Sequence, residues 1–149
     1  MATTVGQESE ITSLVQDLIL LEHDAIAAYE STIEKLSDAA LSSHIARFKQ
    51  DHMQHLDVLN AMVAELGIDA PREGDAKQWL TTGKIALAQL MGDKTILKAM
   101  KTNEDDTVTA YSRAVNHPDA VEKSRAFFAK ALTDEERHRE WMDKTAASL

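Results

Sequence analysis

Glu22, His52, His55, Glu104, Glu135 and His138 share one peculiarity: each interrupts an apolar stripe with a group that binds protons or cations. The stripes follow the i, i+3, i+4, i+7 spacing of one helix face. The first runs Leu14, Leu18, Glu22, Ala25, Tyr29, Ile33, Leu36. The second runs Leu41, Ile45, Phe48, His52, His55, Leu59, Met62, Leu66. The third runs Leu97, Met100, Glu104, Val108, Tyr111, Val115, and the fourth Val121, Ser124, Phe128, Ala131, Glu135, His138, Met142. All four are apolar at both ends and polar in the middle. Taken singly, a Glu or His on such a stripe reads as a hydrogen-bonded core residue. Three carboxylates and three imidazoles together would cost on the order of several kcal/mol each if left unpaired in a dry core. No Lys or Arg falls on the stripes at that height to form an ion-pair cluster. A bound cation offsets the cost, and carboxylate oxygens and imidazole nitrogens are the donors that first-row metals accept.

The elements that must position these groups are helices. Periodic stretches run from about Ile11 to Leu36, Ala39 to Leu66, Lys94 to Val115, and Ala120 to the C-terminus. Ser37-Asp38 separates the first two, Gly67 sits where a glycine C-cap belongs, and Asn116-His117-Pro118-Asp119 is a turn signal. Residues 67–75 read as a loop, and Lys77–Met91 as a short helix ended by Gly92-Asp93. Each long pair joined by a short turn makes an antiparallel hairpin. The link between the pairs, about 27 residues, is long enough to return along the bundle at about 1.5 Å per helical residue. Glu22 precedes the first turn by about as many residues as His52 and His55 follow it. Glu104 and the Glu135/His138 pair stand similarly about the second turn, less closely matched. All six groups are therefore expected at mid-bundle.

Other polar residues are read more plainly. Tyr29 and Tyr111 each lie seven residues after the Glu of their helix, about 10 Å along the same face. They read as core aromatics, or as donors whose hydroxyls reach a carboxylate on a facing helix. Asp51 is i, i+4 to His55 and is held as a reserve ligand. His23, His44 and His117 fall off the stripes and read as solvated. Asp24, Glu30, Asp105, Asp106 and Glu136 read as outer-face charges.

Composition agrees with this picture. The 149 residues include 5 Gly, 2 Pro and no Cys. Few turn formers disfavour an all-β fold, and the absence of Cys excludes disulfides, thiolate metal sites and iron–sulfur clusters. A net charge of −9 argues against nucleic acid or an anionic membrane as partner. No apolar run approaches the roughly 20 residues of a membrane span. Met1–Glu10 is polar, lacks a signal-peptide pattern, and is expected to be a flexible end before one domain over 11–149. The expectation is a cytoplasmic, all-α protein.

The two halves also resemble each other. Glu22-His-Asp-Ala-Ile-Ala-Ala-Tyr29 aligns with Glu104-Asp-Asp-Thr-Val-Thr-Ala-Tyr111, and Asp51-His-Met-Gln-His55 with Asp134-Glu-Glu-Arg-His138, at offsets of 82 and 83. Two blocks at nearly one offset suggest a duplicated helix hairpin and a pseudo-two-fold bundle.

A Glu in the first and third helices, with Glu135-x-x-His138 in the fourth, resembles the ferritin-like di-iron carboxylate proteins over about residues 11–145. The small bacterial ferritin-like domain proteins are more similar than ferritin, bacterioferritin or rubrerythrin. The resemblance implies a ferritin-like four-helix bundle with one long crossover carrying a short fifth helix. It implies two iron ions, with manganese or zinc as alternatives, held by Glu22, His52 and His55 on one side and Glu104, Glu135 and His138 on the other, Glu135 bridging. Activity toward O2 or peroxide follows, as a ferroxidase or peroxide-reactive protein; the alternative is a non-catalytic metal-binding or structural stress protein. The Trp79, Leu80, Ile85, Leu87, Leu90, Met91 face of the short helix is expected to pack across the bundle or to form a homodimer contact. One departure stands out. His52-x-x-His55 occupies the place where the family has Glu-x-x-His, and that Glu usually bridges the metals. The donor set then carries three negative charges instead of four, so two divalent ions leave about one positive charge. A bridging hydroxide, or a single ion, would relieve it.

Overall fold

The computed structural model describes residues 3–72 and 90–149. These form four α-helices: α1 (Ile11–Lys35), α2 (Ala39–Leu66), α3 (Asp93–Val115) and α4 (Glu122–Ser148). Among the described residues there is no strand. The short helix expected over Lys77–Met91 lies outside them except for Leu90 and Met91, which are not helical. Trp79, Leu80, Ile85 and Leu87 likewise lie outside.

The helix ends follow local chemistry. Asp38 caps α2 by accepting from the Ala40 and Leu41 amides at 2.8 and 3.4 Å. Gly67 closes α2 with φ at 68°, a left-handed conformation that glycine adopts without a Cβ penalty. Ser124 Oγ accepts from the Val121 amide at the start of α4. Val121 itself stands outside the helix, 66 % exposed, so the fourth stripe begins later than its periodicity suggests.

Long-range bonds set the topology. The Asp93 carboxylate accepts from the Ser37 amide and hydroxyl and the Asp38 amide, so α3 starts beside the α1–α2 turn. Lys123 pairs with Glu65, so α4 starts where α2 ends. Tyr29 reaches Glu104 while Tyr111 reaches Glu22, which makes α1 and α3 antiparallel. Helices α2 and α3 are then parallel, and α2 ends at the opposite end of the bundle from the start of α3. That is the arrangement a crossover requires.

The core is divided. One apolar cluster gathers Leu14, Leu18, Leu59, Val63, Ala110, Phe128 and Ala131 among others; a second gathers Ala28, Ile45, Phe48, Leu97, Met100 and Met142. Every helix passes from one cluster to the other through a polar step, at Glu22, His52/His55, Glu104/Thr107 and Glu135/His138. On α3 the buried face includes Thr107, Ala110 and Ala114, while Val108 and Val115 are half-buried. In the second half of α3 the buried face thus shifts by about one residue from the apolar stripe.

From Thr3 onward the N-terminal segment makes contacts with the bundle. Val5 is 1 % exposed and belongs to the first cluster. Arg113 donates to the Thr3 and Val5 carbonyls at 2.7 and 3.1 Å, and Asp106 accepts from the Thr3 amide. Gly6, at φ 99°, passes so close to Arg113 that an added Cβ would lie 2.4 Å from the arginine Cβ. His117 is also not solvated: it is 4 % exposed and bonds the Glu8 carbonyl and the Asp119 amide. Val5, Arg113, Asp106 and His117 together dock this polar segment.

Candidate metal centre

Glu22, His52, His55, Glu104, Glu135 and His138 are each 0–1 % exposed and meet in the polar layer between the two clusters. Two overlapping groups of ligand atoms form there. Glu22, His52, His55 and Glu135 make one, and His52, Glu104, Glu135 and His138 the other; within each group the atoms lie within 4.8 Å of one another. His52 and Glu135 belong to both. His52 Nδ1 is 2.7 Å from Glu22 Oε2 and 3.5 Å from Glu135 Oε1, while His52 Nε2 is 3.6 Å from Glu104 Oε1. Glu135 Oε1 is 3.3 Å from His55 Nδ1, and Oε2 is 3.5 Å from His138 Nδ1. His52 Nε2 and Glu135 Oε1 are buried without a hydrogen-bond partner. An orphaned ring nitrogen and an orphaned carboxylate oxygen in one dry layer are what a cation would satisfy.

Partners behind these residues hold them in place. Tyr111 donates to Glu22 Oε1 at 2.6 Å, and Tyr29 donates to Glu104 Oε1. Both tyrosines thus reach a carboxylate on the facing helix. Thr107 Oγ1 lies 2.8 Å from Glu104 Oε2 and 3.1 Å from Glu135 Oε2. His55 Nε2 is 2.8 Å from Asp134, and His138 Nε2 is 2.8 Å from Asp51. Each outer nitrogen therefore donates to a carboxylate, and each Nδ1 is turned inward. Arg137, itself half-exposed, bonds both Asp51 and Asp134 and ties the two carboxylates together. Asp51, the reserve ligand, lies behind His138 and not in either group. Sequence reasoning passed over Asp134, Thr107 and Arg137. The repeat already held the signal for Asp134, which aligns with Asp51 four residues before a His. Each Asp serves the His of the other hairpin.

The electrostatics reflect crowding. Burial pushes Glu104 up, and the charge and hydrogen bond of Glu135 add to this, to about 7. Burial also pushes Glu22 up, but the charge of His52 and the hydrogen bonds of His52 and His55 outweigh it and hold Glu22 well below the usual carboxylate range. His55 is pushed down by burial, yet Glu135 and Glu22 hold it up at about 10. Desolvation lowers His138 and keeps it neutral. Burial, with the carboxylate charges nearby, raises both tyrosines, so each hydroxyl keeps its proton.

A pH dependence follows for metal-free protein. Glu104 and His55 hold protons in the folded chain that the unfolded chain releases near 4.5 and 6.5. Their stabilisation is full below those values and is lost as pH rises through about 7 and 10. Glu22 acts oppositely, but its contribution is already complete above 4.5. The melting temperature of chelator-treated protein is expected to fall between pH 6.5 and 10; a flat or rising profile would contradict these assignments.

The outer carboxylates carry their own expectation. Asp134→Ala and Asp51→Ala each free an imidazole to rotate, and each is expected to weaken Co2+ binding by about 10- to 100-fold in a competition titration. Arg137→Ala, at an exposed ion pair, is expected to cost less. Wild-type affinity in both aspartate variants would show that these contacts do not orient the ligands.

The chain belongs to a family known as a domain of unknown function, DUF2383, whose model matches residues 10–117. That range holds Glu22, His52, His55 and Glu104. The fold is shared with the crystal structure of a conserved hypothetical protein, rv2844, from Mycobacterium tuberculosis, at a TM-score of 0.76 and 20 % identity over 91 % of this chain and 89 % of that one. No curated protein matches the chain. Among the described residues, no helix is long and apolar enough to cross a membrane.

Proposed function

We propose that this chain is a ferritin-like metal protein holding two first-row transition-metal ions between its four helices. The observation that carries the reading is the pair of overlapping ligand groups sharing His52 and Glu135, with an unpartnered atom on each shared residue. Glu22 and His55 complete one site, and Glu104 and His138 the other. Iron, or iron with manganese, fits the mixed carboxylate and imidazole set and would supply electrons to O2 or peroxide. The chain's own part is to orient and to exclude water. Tyr29 and Tyr111 fix Glu104 and Glu22 by donating hydrogen bonds. Asp51 and Asp134 fix the rings of His138 and His55. With no Cys in the chain, electrons for a repeated cycle come from an external donor.

One observation favours a second reading. Three of the six donors are imidazoles, a nitrogen-rich set that zinc accepts and that does no redox chemistry. Metal content of protein purified from its own host, with Fe2+ oxidation measured against a buffer blank, separates the two. Two irons per chain and oxidation above the blank support the oxidoreductase reading. Zinc, with oxidation at the blank rate, replaces it with a non-catalytic metal protein.

A further inference from the structure

Resting on the two-ion reading, we propose that His52 bridges the two metal sites through both of its ring nitrogens, in the place where a fourth carboxylate would stand. The three imidazoles of the centre are not equivalent. His55 and His138 each spend one nitrogen on an outward carboxylate, Asp134 and Asp51, and keep one for the interior. His52 has no such outward partner. Its Nδ1 faces Glu22 and Glu135, in the first ligand group; its Nε2 faces Glu104, in the second, and has no hydrogen-bond partner at 0 % exposure. The ring is packed against Tyr29, at 4.6 Å between centroids, and His138, at 5.2 Å. Glu135 runs alongside, presenting Oε1 to the His55 side and Oε2 to the His138 side.

The bridge also closes the charge account. Three glutamates bring three negative charges, and an imidazole that binds a metal at both nitrogens brings the fourth. Two divalent ions are then balanced without an added hydroxide. On loading, each ring nitrogen's lone pair forms a metal–nitrogen bond, and the ring protons pass to the buffer. No electron changes hands.

The distance between the ions reads the bridge directly. Metal–nitrogen bonds of about 2.0–2.1 Å on either side of one imidazole ring place the ions roughly 6 Å apart, against about 3.5–4 Å for the usual close-set two-metal site. The test uses full-length protein loaded anaerobically with Co2+, titrated for stoichiometry, crystallised and measured at the cobalt edge. The expected result is two ions per chain, one on each side of His52, about 6 Å apart. His52→Glu is expected to draw them together to about 3.5–4 Å. Two ions at the shorter spacing in the wild-type protein would overturn the bridge while leaving the two-ion reading intact. One ion per chain, or none, would overturn both. The wild-type measurement stands by itself should the variant fail to fold.

Discussion

Glu135→Gln is expected to weaken metal uptake at both ligand groups at once, whereas Glu22→Gln and Glu104→Gln each weaken one. Glu135 is fully buried on α4, and its two oxygens face different neighbours: Oε1 the imidazoles of His52 and His55, Oε2 the imidazole of His138 and the Thr107 hydroxyl. Removing its charge takes a donor from each group and leaves His52 and His55 with Glu22 as their remaining nearby carboxylate on that side. The loss is expected to exceed the roughly 100-fold that marks the upper end of outer-sphere changes. Calorimetric titration with Co2+ checks it, with far-UV circular dichroism confirming that the variant is helical. Two ions bound at wild-type affinity would show that Glu135 is not shared.

Removing the metal is expected to lower stability by an amount that depends on the free ion. An ion held in the folded layer would find no preformed site in the unfolded chain, so at free metal near 100 times Kd one site would contribute about 2.7 kcal/mol. In a chain of this length, each kcal/mol shifts the melting temperature by about 2–4 °C. With both ions bound, about 5 kcal/mol in all, loaded protein is therefore expected to melt roughly 10–20 °C above its chelated form. The physical reason lies in the divided core: the layer between the two apolar clusters holds three carboxylates and three imidazoles, with His52 Nε2 and Glu135 Oε1 left without a hydrogen-bond partner that a cation would supply. Scanning calorimetry before and after chelation decides it, on protein shown beforehand to contain metal. An unchanged melting temperature would mean that the ion does not support the fold.

Helical boundaries were largely legible because their signals are local. Gly67 closes α2 through its own backbone freedom, and Asp38 caps α2 with its own carboxylate. The stripes located Glu22, His52, His55, Glu104, Glu135 and His138 because a 3.6-residue period maps chain position to helix face without reference to a neighbour. That same map fails where the neighbour decides. Leu66 and Val121 continue their stripes yet are 41 % and 66 % exposed, because they stand at the very ends of their helices. Val5 carries no periodicity and is buried all the same, because Arg113 holds the segment around it against α3.

By itself, then, the sequence determined four helices, their polar middles and the donor types that gather there, all properties of residues within a few turns of one another. The tertiary structure alone decided who faces whom. Asp134 supports His55 on another helix, and Asp51 supports His138; Tyr29 and Tyr111 cross to each other's glutamate. Whether an imidazole turns one nitrogen or two toward the centre depends on whether a carboxylate stands behind it. His52 lacks one, and that difference is set by the packing of distant helices, which no local spacing encodes.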